Sequence, residues 1–289
     1  MPESKTNKLD KRVLFFQVEA IAPDGSVQMK ELNGLSIKGR ISRKMGTSQA
    51  EATLSIANLD STTVEYITTY TTPYFKPKTK KKISVFAGYE RTGWGRIFTG
   101  EIESAIPTGA PDLWVNIKAK SLSHMNRTPI TYGVSNITSK ELAQSISNQL
   151  GLSFEWQATS QKKISAFDFT GSKAGLLKEF NRLEDVTMFE DNGVIKVVDK
   201  VAKPPENNIR LISQDTGMIG EPEPTEYGIK VKYLLDPSSN CGDWIETKSI
   251  KLPGTDGKYQ IYALDFDFAN REQQFYCEAQ CKAVGVNVK

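Results

Sequence analysis

The sequence predicts an α+β protein that is mainly β, in which two antiparallel β domains flank a small α+β domain. Three observations lead to this prediction. Apolar and polar residues alternate with a period of two from residue 13 to 121, helical spacing takes over near residue 126, and alternation returns after a proline-rich stretch at 201–208. The predicted divisions are an N-terminal tail at 1–11, a first β domain at 12–125, the α+β domain at 126–203 and a second β domain at 204–289.

Length and composition narrow the class of protein. A chain of 289 residues is long enough for about two domains and a sizeable core. An apolar content of 38% and a charged content of 25%, without an apolar run near the ~20 residues of a membrane span, are typical of an ordinary soluble chain. The polar N-terminus lacks a secretory signal, so we expect the chain to stay in the cytoplasm, at least initially, without membrane insertion. A net charge of +3 is too small for a dedicated nucleic-acid binder.

The first β domain is predicted from a series of alternating runs. RVLFFQVEAI opens it, AEATLSIANLD is a half-buried strand, and KISVFAGY, GRIFTGEIESAI and LWVNIKAKS complete it. Between them, Thr62 and Glu65 have the spacing of a capping box, which predicts a short helix that ends before Pro73.

Three glycines at the start of the strand GRIFTGEIESAI raise the question of a phosphate-binding loop. Gly95 and Gly100 have Walker spacing, but Glu101 and Ile102 stand where Lys and Ser or Thr are required, and a carboxylate would repel phosphate. The residues after Gly100 alternate like a strand and show no helical period. We therefore predict that Gly93 and its neighbours serve a hairpin turn and a bulge.

The α+β domain is predicted from two helix signals and one hairpin. Thr138 and Glu141 form a capping box for a helix that Gly151 ends. FDFTGSKAGLLKEFNRL predicts a second helix with Ser172 near its start. DVTMFEDNGVIKVVD is then a hairpin, because Asn192-Gly193 is the strongest short turn signal in the chain.

The second β domain resembles the end of the first. YGIKVKYLL, DWIETKSI, GKYQIYALDFDF and FYCEAQCKAV are its strands. Without a gap, residues 95–122 align with residues 257–284 and place Trp114 on Tyr276. Identity is very low, so chance and duplication both stay open, although the equal lengths suggest a related β unit used twice.

Two pairs of acidic residues are candidates for chemistry. Glu101 and Glu103 are two apart on a strand, hence about 7 Å apart on one face, within the range of an inverting glycosidase. Such enzymes normally take their two carboxylates from different elements, whereas neighbouring glutamates on an exposed strand face are commonplace, so the second interpretation is favoured. Asp265 and Asp267 mimic the start of a calcium loop, but Ala269 occupies the third ligand position, so a solvated face is predicted.

Histidine and cysteine residues do not indicate a catalytic or metal-binding site. His124 is the only histidine, and a structural or surface role is predicted. Cys241, Cys277 and Cys281 form no C-x-x-C motif and are expected to be reduced, small apolar side chains. We predict no catalytic, cofactor-binding or metal-binding residue and no cofactor. The glycosylation sequons at Asn126 and Asn136 have no meaning in a chain that is not secreted.

One segment of the chain is locally basic. FKPKTKKK contains five lysines: Lys76, Lys78, Lys80, Lys81 and Lys82. They could contact an acidic partner. A solvated loop whose lysines protect the next strand from edge pairing is the simpler interpretation.

The order of these segments resembles the baseplate hub proteins of contractile-tailed bacteriophages and of related contractile injection systems. The segments that carry the resemblance are, in order, ATLSIANL, ISVFAGY, GRIFTGEI, FDFTGSKAGLL, the Asn-Gly hairpin, LLDPSSNCGDW and GKYQIYAL. Each is a weak pattern, and their order along residues 40–283 makes the resemblance.

The resemblance implies a structural virion protein that is not an enzyme. Each chain of a homotrimer would contribute two tube-like antiparallel β domains, so that three copies imitate a six-membered ring. The ring would be assembled in the host cytoplasm and would adapt the six-fold tail tube to the three-fold spike in the tail baseplate of the virion. Its implied partners are the tail tube protein, the spike or cell-puncturing protein, other baseplate proteins and, as a further candidate, the tape-measure protein. DNA would pass through the channel without specific binding.

Two alternatives remain from the residues themselves. The first is a cell-wall-degrading glycosidase of the tail tip that uses Glu101 and Glu103. The second is a host-surface binding module.

Overall fold

The structure, a computed structural model, describes residues 10–21, 26–33, 36–46, 49–68, 81–109, 113–126, 128–183, 185–201, 203–207 and 209–287. Strands predominate within these residues, three α-helices are present, and the strands form large antiparallel sheets. This confirms the predicted mainly-β α+β class. The fold consists of a first β unit, a middle domain and a second β unit.

Among the described residues, the first β unit contains seven strands and one helix. They are β1 (Arg12–Ile21), β2 (Val27–Leu32), β3 (Ile37–Lys44), β4 (Glu51–Ala57), α1 (Ser61–Thr68), β5 (Lys82–Tyr89), β6 (Gly93–Pro107) and β7 (Trp114–Lys120). A 3-10 turn at Ser123–Asn126 follows β7. Alternation along β4 buries Ala52, Leu54 and Ile56, as predicted.

The start of α1 differs from the prediction. Asp60, not Thr62, is the N-cap: its Oδ1 accepts from Thr63 N at 2.9 Å, and its carbonyl accepts from Val64 N. Hydrogen bonds from Thr62 and Thr63 lower the pKa of the Asp60 carboxyl. The predicted Thr62–Glu65 box is therefore wrong, because an equally good capping residue stands two positions earlier, where the chain leaves β4.

The glycines of β6 serve a turn and a close approach of two strands. Gly93 has φ +116° directly after the turn that joins β5 to β6. The register between β5 and β6 shifts at Ile97, which is a bulge. At Gly100 a Cβ would lie 2.7 Å from the carbonyl oxygen of Lys120 on β7. The prediction of a hairpin turn and a bulge is confirmed.

The middle domain has a core of its own. Its elements are β8 (Pro129–Thr138), α2 (Ser139–Leu150), β9 (Ser153–Trp156), β10 (Lys163–Ser172), α3 (Lys173–Phe180), β11 (Val186–Asp191) and β12 (Val194–Asp199). β8 and β10 form a two-stranded sheet, and β9, β12 and β11 form a three-stranded one.

Local signals in the middle domain are mostly confirmed. Thr138 and Glu141 form the complete capping box of α2, and Gly151 ends it with φ 70°. Asn192 and Gly193 both have positive φ and close the β11–β12 hairpin. Ser172, predicted near the start of the second helix, is the N-cap of α3, and FDFTGS before it is the end of β10. The alternating Phe-Asp-Phe pattern fits a strand paired with β8.

The second β unit follows an irregular connection. Residues 203–207, inside the predicted linker, form neither helix nor strand and are exposed. The strands are β13 (Ile209–Ser213), β14 (Met218–Pro224), β15 (Gly228–Leu234), β16 (Trp244–Lys248), β17 (Gly257–Ala269) and β18 (Phe275–Ala283).

The two β units have the same order of strands. In the first unit the order is β3-β4-β7-β6-β5-β1, and in the second it is β14-β15-β18-β17-β16-β13. They differ in the direction of one strand: β1 is antiparallel to β5, whereas β13 is parallel to β16. A shared order of six strands goes beyond what two unrelated hairpins would have in common, so it favours duplication over chance.

A bulge in each unit corrects the gapless alignment. Glu103 is the extra residue in β6 between Ile102 and Ser104, and Tyr262 is the extra residue in β17 between Ile261 and Ala263. Matching the two bulges keeps the predicted equivalence of β7 and β18. Each residue of β6 then corresponds to a residue of β17 three positions earlier than in the ungapped alignment, so that Glu103 matches Tyr262 instead of Asp265.

Candidate functional site at the junction of the two β units

The two β units join through one pair of strands. Lys38–Lys44 of β3 pairs antiparallel with Ala263–Ala269 of β17. This pairing places both units side by side in a single sheet whose path runs β14-β15-β18-β17-β3-β4-β7-β6-β5-β1-β2. We call this contact the inter-unit junction. The backbone hydrogen bonds of a ladder fix its register.

Aromatic side chains fill the buried face of the inter-unit junction. Phe266 lies opposite Ile41 and Phe268 lies opposite Gly39. The Phe268 ring packs edge-on against Phe16 of β1, with centroids 6.5 Å apart. A Cβ at Gly39 would come within 3.1 Å of the Phe268 ring, so glycine leaves room for it. Phe268 therefore belongs to the core of the first unit as well as to its own strand.

Ion pairs cross the other face of the junction. Arg40 Nη2 lies 2.7 Å from Asp265 Oδ2, and Nη1 lies 3.8 Å from Asp267 Oδ2. Burial raises the pKa of Asp267, and the charge of Arg40 opposes that rise. The predicted solvated face is corrected, since both carboxylates are half-buried against Arg40. Within the described part of the chain, no cluster of His, Cys, Asp or Glu could hold a metal ion.

Arg12 of β1 holds the turn that joins β17 to β18. Its guanidinium donates to the carbonyl oxygens of Ala269, Glu272 and Gln273. It also lies over the ring of Phe275, 4.9 Å from the centroid. One side chain thus connects the first strand of one unit to the last hairpin of the other.

A buried charge cluster connects all three parts of the chain. Arg43 of β3 donates to Asp191 of the middle domain at 2.9 Å and to the carbonyl of Ile97 in β6. Lys196 of β12 donates to the same carboxylate at 3.2 Å, and Asn240 of the second unit lies 3.4 Å from Arg43 Nη1. Arg43, Asp191 and Lys196 are all buried. Charges in such a position are tolerated only when they are paired.

Two further acids lie beside this charge cluster. Burial raises the pKa of Asp243 to about 6, against the opposing effect of Lys196. Burial also raises the pKa of Glu190, whose carboxylate accepts from Ser121 Oγ at 2.7 Å and from Gly193 N at 2.6 Å. Because Ser121 follows β7, Glu190 ties the β11–β12 hairpin to the first unit.

Sequence reasoning missed the charge cluster. A signal was nevertheless present, since Asp191 and Lys196 interrupt the apolar positions of the hairpin MFEDNGVIKVV. A charged residue at a position that alternation predicts to be buried indicates a buried partner. The partner Arg43 could not be identified, because it lies 148 residues away in the chain.

Glu101 and Glu103 do not have the predicted arrangement. The bulge at Glu103 breaks the alternation, so Glu101 is buried while Glu103 is exposed. Oε1 of Glu101 accepts from His124 N at 3.2 Å and lies 2.8 Å from His124 Nδ1. Glu103 accepts from Ser123 Oγ at 3.3 Å. Both carboxylates hold the 3-10 turn after β7 against β6, and His124 has the structural role that was predicted.

The cysteines are buried and carry free thiols. Cys241, Cys277 and Cys281 all lie in the core, as expected of small apolar side chains. Burial raises the pKa of the Cys277 thiol to about 12 and that of Cys281 further. They are therefore unreactive at neutral pH.

The basic segment is only partly described. Lys76, Lys78 and Lys80 lie outside the described residues, and Lys82 is exposed. Lys81 is buried, in contrast to the predicted solvated loop, with its Nζ 3.4 Å from the centroid of the Tyr66 ring. Burial lowers the pKa of Lys81 to about 8.

Solved structures of low identity share this fold. The 43 kDa tail protein of prophage MuSo2 from Shewanella oneidensis matches with a TM-score of 0.59 and 9% identity over 94% of this chain and 98% of that one. A tail protein from Neisseria meningitidis MC58 matches with a TM-score of 0.60 and 8% identity over 93% and 96%. The E. coli c3393 protein, a component of the type VI secretion system, matches at 0.57 and 10% over 88% and 76%.

Comparison with protein families identifies the family of the chain. A comparison with curated proteins finds no match. Among the described helices, none is both long and apolar enough to cross a membrane. The family described as Baseplate hub gp41 matches residues 15–281, which include the inter-unit junction and the charge cluster. The chain therefore belongs to the Baseplate hub gp41 family and is a structural protein of a phage tail.

Proposed function

We propose that the chain forms a homotrimeric hub whose ring adapts the six-fold tail tube to the three-fold spike. One observation supports this above all: the same six-strand order occurs twice in one chain, and the two occurrences join side by side in one continuous sheet. A chain with two equivalent units can occupy two neighbouring positions of a ring. Three such chains supply six positions.

The face of the sheet opposite the core supports a channel lining. Along this face Arg40 pairs with Asp265, and Lys232 pairs with Glu278 at 3.1 Å. Asp265 and Glu278 are direct cross-strand partners, so the pairs form one row. Paired charges of both signs give no strong field of either sign. Tight binding to the DNA phosphate backbone requires concentrated positive charge, so such a surface lets DNA pass without holding it.

The work of the hub is mechanical. Its partners are the tail tube protein on one side and the spike protein on the other, together with other baseplate proteins. Stability in the particle comes from area buried between subunits, and no chemical step is involved. The contacts of Glu101 and Glu103 with the 3-10 turn support this function over the glycosidase alternative.

The mass of the purified protein over a range of concentrations tests the proposal. We expect a trimer whose class averages in electron microscopy show an axial hole. A monomer at every concentration, without a ring on addition of tube and spike proteins, contradicts it.

A peptidoglycan assay with Glu101→Gln as control tests the glycosidase alternative. Hydrolysis that the substitution removes would contradict a purely structural role. Deletion of the gene that leaves complete but non-adsorbing tails would instead favour the host-surface binding module.

A further inference from the structure

The inter-unit junction uses one surface of each β unit. The first unit contributes the outer edge of β3, and the second unit contributes the C-terminal half of β17. Since the units have the same strand order, the chain contains an equivalent of each surface. These are the outer edge of β14 and residues Ser104–Pro107 of β6. In the described part of the chain, β14 pairs only with β15, and Ser104–Pro107 pairs only with β7.

The equivalence of β6 and β17 holds at the level of single hydrogen bonds. Ile102 N donates to the carbonyl of Lys81, and Ile261 N donates to the carbonyl of Asp243, both at 2.9 Å. At these bonds β6 stops pairing with β5, and β17 stops pairing with β16. One bulge follows in each, and after it Ala263 begins the pairing with β3. Ser104 stands at the corresponding position of β6.

Exposed apolar side chains lie at both of these surfaces. Ile106 is 61% exposed on β6, and Leu113, which precedes β7, is also exposed. Ile219 is exposed on β14. The loop after β16 adds Ile250, which is 79% exposed, and Leu252.

That loop is held beside β14. Ser249 at its start donates to the carboxylate of Glu221 in β14. The exposed apolar residues of the loop therefore lie beside the strand that carries Ile219. Large apolar side chains grouped in this way typically mark an interaction site.

We propose that β14 and the loop 249–252 of one copy dock against Ser104–Pro107 and Leu113 of a second copy. We call this contact the inter-copy junction. It repeats the relation between the two units of one chain, and it rests on the proposed function as a ring. Each contact joins two different surfaces, as a head-to-tail ring requires. Three internal and three inter-copy junctions then alternate around the ring.

Two prolines distinguish the inter-copy junction from the internal one. Thr225 N donates to the carbonyl of Gly228 and therefore faces β15. Because successive backbone nitrogens of a strand face opposite sides, the nitrogen of Pro224 faces the open edge. Pro222 and Pro224 have no N–H to donate, and the edge cannot form a full ladder. The inter-copy junction is therefore made mainly by side chains. The same prolines protect the edge from random strand pairing before assembly.

Paired cysteines test the inter-copy junction. The pairing of Asp265 with Ser42 in the inter-unit junction corresponds to a pairing of Ile106 with Thr225 in the inter-copy junction. A chain with Ile106→Cys and Thr225→Cys is treated with a short bifunctional maleimide, while the three native thiols are buried. We expect covalent species up to the trimer. An equal mixture of the two single variants should give only dimers, and each single variant alone should give monomers.

Charge substitutions provide a second measurement. Ile106→Glu and Ile250→Glu are each expected to raise the concentration of half-dissociation of the trimer at least about tenfold, which corresponds to about 1.4 kcal/mol. Met29→Glu, at an exposed position of β2, is the matched control and should leave it unchanged. Ile106→Lys combined with Ile250→Glu should restore part of the loss.

The two possible failures are distinguishable. A wild-type trimer that neither cross-links through these cysteines nor weakens with Ile106→Glu overturns the proposed surfaces and leaves the hub function intact. A wild-type protein that forms no trimer and no ring with its partners overturns the hub function and the junction together.

Discussion

The chain is held together by two junctions of different chemistry. The inter-unit junction combines a backbone ladder with Phe266 and Phe268 in a shared core. The contact with the middle domain is centred on the buried charges of Arg43, Asp191 and Lys196. A ladder with apolar packing tolerates the loss of one side chain, because its other contacts remain. A buried charge cluster depends on every member, because each lost partner leaves a charge unpaired.

The largest expected effect is at the charge cluster. Asp191→Ala leaves Arg43 and Lys196 buried without their carboxylate. We expect a loss of about 3–5 kcal/mol in the free energy of unfolding, measured by urea titration. The triple variant Arg43→Met, Asp191→Leu, Lys196→Met is the control and should recover most of the loss. A single variant as stable as the wild type would show that these charges are not paired in solution.

The inter-unit junction should respond less strongly. Phe268→Ala removes a ring from a core shared by both units and is expected to cost about 3 kcal/mol. Hydrogen exchange should then speed up in β3 and β17 together, since their ladder loses its apolar cover. Phe15→Ala, at a half-buried phenylalanine on the opposite face of β1, is the control. Equal changes for both variants would contradict a special role of the junction.

Another contact of the middle domain should make the free energy of unfolding depend on pH. Lys282 of β18 is buried and donates to the carbonyl of Lys200 at 2.8 Å, and burial lowers its pKa to about 8. In the unfolded chain a lysine titrates near pH ~10.4, so the unfolded state binds more protons between these values. The free energy of unfolding should therefore rise by about 2 kcal/mol between pH ~8 and ~10.

Lys282→Met tests the origin of that rise. Urea titrations of the wild type and the variant at several pH values isolate the contribution of this lysine from those of other groups. The variant should lack the increase. If both proteins gain stability equally on going to higher pH, Lys282 is not its source.

The smallest expected effect is at the outer face of the inter-unit junction. Arg40→Ala removes the ion pairs to Asp265 and Asp267, which are only half-buried. We expect a cost of about 0.5–1 kcal/mol, reduced further by salt. Lys11→Ala, which breaks the exposed pair with Glu90, should cost still less. A loss at Arg40 as large as that of Phe268→Ala would mean that charge, rather than packing, holds the junction.

Local chemistry made several elements predictable. The capping box of α2, its end at Gly151 and the Asn192-Gly193 turn depend on residues within a few positions of one another. The same is true of the buried side of β4. An error arose where two local signals competed, as at Asp60 and Thr62.

The candidate site was less predictable. The spacing of Glu101 and Glu103 suggested one shared face, but the bulge at Glu103 depends on how β6 pairs with β7. Likewise Asp265 and Asp267 were expected in solvent, and they are covered by Arg40, which lies 225 residues before Asp265 in the chain. A strand pattern shows which face is covered without showing what covers it.

The amino-acid sequence by itself determined the mainly-β class, the helices of the middle domain and membership of the hub family, because alternation, capping and turn chemistry act over short distances. Only the tertiary structure decided that β3 pairs with β17 and that Arg43, Asp191 and Lys196 meet. Strand edges offer the same backbone groups whatever their sequence, so the choice of partner depends on the packing of side chains from distant parts of the chain.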